Sequence, residues 1–400
     1  MAALGPACAP GAPPAVTLIG ALESPAAEGS GEPFLSSAGD TVYLSWLEAV
    51  GGGTQELRFA RLVGGAWSAP RVIARSDRFF VNWADFPSVS PAADGALWAH
   101  WLQRGPGDGY DYGVRVARSA DAGATWSEPW TPHEDDSPTE HGFVSTVGVG
   151  SDQGFLWLDG RAFAPRADGA PPTQEMALYF RAAGDGGAAG SETLVDARVC
   201  DCCQTDMALT AAGPVAVYRD RSPDEVRDIR IVRLVDGVWT EGAIVHDDGW
   251  ETAACPVNGP AVAARGERVA VAWFTAAGGV PHVQVAFSDD SGARFGDPVV
   301  VDGGNPAGRV DVFMEPGGSA LVSWLERTGG ESAEVRVRAV HPSGRAGESV
   351  SVSVSSGERA SGFPRLVGGA GETVVVAWTD VAEIGPRVRV ARLEITREGG

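Results

Sequence analysis

The sequence predicts an all-β chain folded as a single β-propeller, and three observations carry that expectation. One unit recurs seven times along the 400 residues: a small or Pro-containing cluster, a β-run, a Gly/Asp turn, then an apolar strand that holds a Trp in six of the seven cases. The composition agrees, with 54 Gly and 27 Pro available for tight turns between short strands rich in Val, Ala, Leu and Trp. No linker or composition break divides the chain, as a sandwich or a pair of β domains would require.

The first strands start at Gly31-Glu32-Pro33, Asp85-Phe86-Pro87, His141-Gly142-Phe143, Cys202-Cys203-Gln204, Asn258-Gly259-Pro260, Gly308-Arg309-Val310 and Gly362-Phe363-Pro364. The spacing of about fifty to about sixty residues is near the upper end of known blade repeats. Second strands are expected at 42–47, 96–102, 155–159, 215–219, 269–274, 320–325 and 374–379. Third strands at 57–62, 114–118, 229–234, 283–287 and 388–393 largely alternate apolar and polar side chains, as half-buried strands do. A weaker fourth strand follows in most units. The last unit runs out near Thr396 without one, while residues 15–22 form an unassigned β-like segment at the other terminus. That N-terminal strand is expected to close a ring of seven blades, with six as the alternative if one degenerate unit is not a blade. Closure leaves only short edges and predicts a monomer.

The net charge of −21 supplies no basic stripe and argues against a nucleic-acid partner. All 31 basic residues are Arg, so Schiff-base, Walker-type and Lys general-base chemistry falls away. Arg grips carboxylates bidentately, which favours an acidic or polyhydroxylated ligand. No apolar run reaches the roughly 18 residues needed to span a bilayer. Residues 1–14 read either as a disordered leader or as the end of a trimmed lipoprotein signal with a lipid anchor at Cys8, and 15–400 as the propeller.

Ser119-Ala120-Asp121-Ala122-Gly123-Ala124-Thr125-Trp126 matches the pattern S-x-D-x-G-x-T-W. A second copy has Ser288, Asp290, Gly292 and Phe295, with Arg294 in the Thr position, and Ala66-Trp67 and Val238-Trp239 look like eroded versions. This resembles the Asp box of sialidases and other bacterial neuraminidase-repeat propellers. In that family the box is a structural hairpin and does not catalyse. The chain as a whole looks like an exported, sialidase-like bacterial subgroup of unassigned activity, through 82–87, 140–143 and 200–205. The resemblance implies a glycoside hydrolase with an Arg triad, a Tyr nucleophile and an acidic partner. It also implies an exported, periplasmic or cell-surface location. The family's R-I-P motif has no counterpart, since the early position reads Gly31-Glu32-Pro33, and Tyr218 is the most plausible nucleophile-like Tyr.

In a propeller the first-strand starts share a face with the loops joining second and third strands. The starts bring Asp85, Glu140, His141, Cys202, Cys203, Asn258, Arg309, Asp311 and Arg365 to that face. The loops bring Asp159, Arg161, Arg219, Asp220, Arg221, Glu225, Arg227 and Asp228. Any one of these could be a surface charge serving solubility alone; their convergence is what suggests a site. Arg161, Arg221 and Arg309 are expected to hold a carboxylate, with Asp85 or Glu140 as proton donor. His141, Tyr218 and Asp220 are further catalytic candidates, and Arg219, Arg227, Asn258 and Arg365 further ligand contacts. Trp83, Trp130 and Trp250 could stack on sugar rings or simply pack between blades. His100, His133, His246, His282 and His341 show no ligand spacing.

Cys200-Asp201-Cys202-Cys203 and Cys255 fall at the starts of neighbouring units, so four cysteines cluster in space. In an exported protein they make one or two disulfides. The alternatives are a copper or zinc site at Cys202, Cys203 and Cys255, with His141 as an added ligand, and redox or nucleophilic thiol chemistry. Two functions therefore compete: an acidic-glycan site on the blade-start face, and a thiolate metal or ligand site. A non-catalytic interaction scaffold is the third.

Overall fold

The structure is a computed structural model that describes residues 11–107, 109–165, 169–185, 187–382 and 385–397. Seven antiparallel sheets form a seven-bladed β-propeller, with only three short 3-10 turns among the described residues. Blade 1 runs Ser30–Ala38, Thr41–Gly51 and Thr54–Val63, and its outer edge is split into Ala66–Trp67 and Arg71–Ser76. Blade 2 has Ser88–Pro91, Leu97–Arg104 and Tyr112–Ser119, with Trp130 bridging to Val116 where a fourth strand would lie. Blades 3 to 6 begin with His141–Val149, Asp206–Thr210, Ala261–Arg265 and Pro306–Met314. Blade 7 combines Arg365–Gly368, Thr373–Ala382 and Gly385–Thr396 with the N-terminal strand Ala15–Leu22, so the chain's two ends share one sheet as expected. Cys8, the expected anchor position, lies outside the described residues, and no described helix is long and apolar enough to cross a membrane.

The core sits between blades. Leu44 and Trp46 of blade 1 pack on Val375, Ala377, Val388 and Val390 of blade 7, and Ala270 and Val285 of blade 5 on Val312 and Trp324 of blade 6. Each fully buried Val or Leu contributes about 1.5–3 kcal/mol, so a ring of such layers holds without helices. Three of the second-strand Trp residues satisfy their indole N–H within the same strand, whereas Trp273 reaches Asp248 at 2.7 Å. Trp46, Trp157 and Trp324 donate to the carboxylates of Glu48, Asp159 and Glu326, two residues on and on the same strand face, at 2.9, 2.9 and 2.6 Å.

The Ser119 hairpin folds around Asp121, which accepts the N–H groups of Ala124 and Thr125 and the Thr125 hydroxyl at 3.0, 2.9 and 2.7 Å. Trp126 meets Phe59 of blade 1 edge-on with ring centroids 6.0 Å apart. Gly123 has φ +81° there, and a Cβ would come within 2.2 Å of the Phe59 ring. The second copy closes in the same way, with Arg294 bonded through backbone and side chain to Asp290.

Candidate functional site

At several blade starts the inner strand carries a bulge. The pairing register shifts between Gly31 and Phe34, Gly142 and Ser145, and Gly308 and Asp311, and Glu32, Phe143 and Arg309 adopt φ of 52°, 52° and 60°. Side chains from the preceding blade hold the backbone at two of these bulges and at the start of blade 5. Asp85 accepts the Phe143 N–H at 2.8 Å, Asn258 accepts the Arg309 N–H at 2.6 Å, and Gln204 accepts the Gly259 N–H at 2.9 Å. Asp85, an expected proton donor, and Asn258, an expected ligand contact, thus join neighbouring blades.

The expected arginines are each held by partners of their own. Arg161 grips Asp159 bidentately at 2.6 and 2.7 Å, pairs with Glu192 and lies 3.9 Å over the Tyr179 ring. Arg221 pairs with Glu225 at 2.9 Å. Arg309 donates to the carbonyls of Glu358, Gly362 and Gly357 and to the Ser361 hydroxyl, over the Trp83 ring. Burial, with Arg327 and Arg359 nearby, pushes its guanidinium down to about 10. Arg219 is fully buried and spends its donors on the carbonyls of Asn258, Arg227 and Phe274, crosslinking blades 4 and 5. Arg365 pairs with Asp311 at 3.1 Å between Phe34 and Phe86. These two line the axial cavity of about 430 Å³ with Ser36, Ser88, Ser145 and Asp206.

Tyr218 is buried and donates to Asp196 at 2.6 Å; burial raises its hydroxyl far above the ordinary range. Asp220 accepts from Arg230 at 2.7 Å. His141 is closed into a charged cluster: its Nε2 lies 3.0 Å from Asp135 and 3.6 Å from Asp159, and its Nδ1 lies 3.2 Å from the Thr139 carbonyl. Burial alone would lower its pKa, but the carboxylates outweigh it and raise it. Oxygen atoms face both ring nitrogens, and Asp135, His141 and Asp159 converge closely enough to form a set that could hold a metal ion.

The cysteines divide into two pairs. Cys202 and Cys255 form a disulfide, whereas Cys200 and Cys203 are buried free thiols 3.1 Å apart. Bonded sulfurs do not act as thiolate ligands, so the set Cys202, Cys203 and Cys255 cannot bind copper or zinc in this redox state. The outer residues of the run, Cys200 and Cys203, have the C-x-x-C spacing that the C-x-C-C pattern conceals.

A pocket on the blade-start face has a volume of about 340 Å³. Trp83, Tyr110 and Tyr112 form aromatic walls, Glu140 and Asp201 supply carboxylates, Arg359 supplies a cation, and the Cys202 and Cys255 disulfide forms one side. Burial, with Asp201 and Asp85 nearby, raises the Glu140 carboxyl to about 7, while a bond to Tyr112 opposes the shift. The Tyr112 hydroxyl lies between the two carboxyls and donates to Asp85 at 3.3 Å, so it links the half-buried Glu140 to the buried Asp85; burial raises Asp85 to about 7 as well. Sequence reasoning missed Arg359, Asp201, Tyr110 and Tyr112. Arg359 lies three residues ahead of the Gly362 start and was legible as a blade-start residue. Tyr110 sits in the blade 2 loop between second and third strands, the same loop class that pointed to Arg161, and Tyr112 opens the third strand.

No protein-family model matches the sequence, and no curated protein matches it. Among solved structures the chain is similar to a protein of unknown function from Dyadobacter fermentans, at 13% identity and TM-score 0.52 over 95% of this chain and 98% of that one. It is similar to the polysaccharide lyase Uly1 at 9% identity and TM-score 0.52, over 91% and 90%. The NanB sialidase of Streptococcus pneumoniae matches at 12% identity and TM-score 0.45, over 92% and 68%. At these identities the likeness is one of fold.

Proposed function

We propose that the pocket between Trp83, Tyr110 and Glu140 binds an acidic carbohydrate outside the cytoplasm, and that Glu140 is its proton donor. The observation that carries this reading is a carboxyl raised to about 7, facing a pocket that also offers aromatic platforms and the Arg359 guanidinium. Aromatic faces stack on the apolar faces of sugar rings, and the guanidinium pairs with a uronate or sialate carboxylate. A carboxyl still protonated near neutral pH can protonate a leaving glycosidic oxygen, as in glycoside hydrolysis. The Asp121 and Asp290 hairpins support the likeness to Asp-box propellers. The disulfide supports an exported location.

The test is binding and turnover on polygalacturonate, sialyllactose and neutral dextran. Retention of the acidic glycans but not dextran is expected, weakened about tenfold or more in Arg359→Ala. Glu140→Gln should keep binding and lose turnover. New reducing ends alone identify a hydrolase, and reducing ends with an unsaturated uronate identify a lyase. Equal binding to dextran, or none to any of the three, removes the proposal.

A further inference from the structure

Beside the pocket, four sulfurs lie in one short chain of contacts. Cys200 Sγ is 3.1 Å from Cys203 Sγ and 3.8 Å from Cys202 Sγ, and Cys202 is bonded to Cys255. Cys200 and Cys203 are almost wholly buried, Cys202 is half-buried and Cys255 is exposed, so the chain leads from the interior to the surface. Arg227 is buried and points an N–H at Cys200 Sγ at 3.2 Å, while its other nitrogen pairs with Glu225. A donor aimed at Cys200 stabilises a thiolate there in preference to Cys203. The Cys203 S–H, a backbone N–H and the charges of Arg219 and Arg227 together bring Cys200 below the ordinary thiol range. Nothing in the carbohydrate reading uses this pair.

We propose that Cys200 is the nucleophile of an internal thiol–disulfide exchange that opens the Cys202 and Cys255 disulfide and moves the bond inward to Cys200 and Cys203. The Cys200 thiolate attacks Cys202 Sγ, the S–S bond to Cys255 breaks, and Cys255 leaves as a thiolate into solvent, where it takes a proton. Cys203 then loses its proton to solvent and attacks Cys200 Sγ, expelling Cys202 as a thiolate that is protonated in turn. Two thiols and one disulfide are present before and after, and no oxidant or reductant is consumed. The product presents a Cys202 and Cys255 dithiol on the pocket wall, open to exchange with disulfides of other molecules. The exchange needs no carbohydrate.

The test is alkylation of the native protein by N-ethylmaleimide without reductant, followed by peptide mapping of labels and disulfides. Time-dependent labelling of Cys255 is expected, with Cys200 bonded to Cys202 or to Cys203 in the same molecules. In Cys200→Ser, Cys255 labelling should fall about tenfold or more, because the attacking thiolate is gone. In Cys203→Ser the exchange should stop at the first step, with Cys255 labelled and Cys202 not. A wild-type protein whose Cys202 and Cys255 disulfide persists, with label confined to Cys200 and Cys203, overturns the proposal. So does Cys255 labelling that is unchanged in Cys200→Ser.

Discussion

The Asp85 carboxylate accepts the backbone N–H of Phe143, one blade further round the ring, at 2.8 Å. Asn258 does the same for Arg309 at 2.6 Å, so a neutral amide and a carboxyl fill the same structural role three blades apart. Burial raises Asp85 to about 7, which makes it partly a neutral acid at neutral pH. Asp85→Asn should therefore cost little, about 0.5–1 kcal/mol, because an acceptor remains. Asp85→Ala should cost about 1–3 kcal/mol by stranding a buried N–H. Urea unfolding of both variants checks this, and equal losses would show that Asp85 does not act as the cap.

Gly142 stands just before the same bulge, where a Cβ would come within 2.2 Å of the Asp85 carboxylate and 2.7 Å of the Tyr112 ring. Gly142→Ala should therefore destabilise by about 1–3 kcal/mol through overpacking. It should also displace the Tyr112 hydroxyl that links Asp85 to Glu140. A melting temperature within a degree of wild type would mean that the neighbouring side chains yield freely.

Stability should decline between about pH 5 and pH 8. Burial raises Asp85, Asp206 and Glu140 to about 7 in the folded chain, whereas unfolded carboxyls titrate near about 4. Between those values the native state holds the extra protons, so the free energy of unfolding falls as pH rises, and the loss is complete above about 7. His141 acts in the same sense: its folded pKa is raised, so its contribution is present below the unfolded value of about 6.5 and is lost above the folded one. Glu225, held down to about 2 chiefly by its bond to Arg221, acts oppositely; its contribution is lost as pH falls toward that value. Thermal melts at pH 5, 6.5 and 8 should show the fall, and Asp206→Asn should flatten part of it. A melting temperature that rises across this range would show that these carboxyls ionise normally.

The ring was legible because its signals are local. Ala15–Leu22, a β-like segment left over at one end, pairs with Gly385–Thr396 at the other, and each expected second strand falls on an observed one, with bounds that differ by up to four residues. The site was less legible because charge type does not reveal partner. Arg161, Arg219 and Arg309 stand at the expected face, yet their donors are spent on Asp159, on carbonyls and on Ser361, which only the packed fold discloses. Arg359 carried a readable signal, its place ahead of Gly362, but nothing in the sequence ranks one loop arginine above another.

Arg161→Ala should destabilise the fold more than it alters any ligand affinity. Asp159 is fully buried and accepts from Arg161 twice and from the Trp157 indole, with His141 3.6 Å away. Removing the guanidinium leaves a buried carboxylate with only part of its compensation, a change that costs about 3–5 kcal/mol. Arg161→Lys keeps the charge but loses the bidentate grip, so an intermediate loss is expected. Denaturant midpoints rank the three proteins, and acidic-glycan binding is measured on whatever folds. A stable Arg161→Ala that no longer binds acidic glycans would return Arg161 to the ligand site.

The closing strand offers the sharpest test of ring integrity. Ala15–Leu22 lies along Gly385–Thr396, and Val16 and Leu18 pack against the layer shared by blades 6 and 7. Without it, Gly385–Thr396 becomes an open edge with unpaired backbone groups, and such edges recruit other chains. A chain beginning at residue 23 should melt well below one beginning at Gly11 and elute as oligomers on size exclusion. A synthetic peptide of residues 11–22 added in trans should restore both properties, because it supplies the missing backbone partners without altering any other blade. Failure of the peptide to bind, together with an unshifted melting temperature, would mean that blade 7 is stable with three strands and that the N-terminal strand does not hold the ring closed.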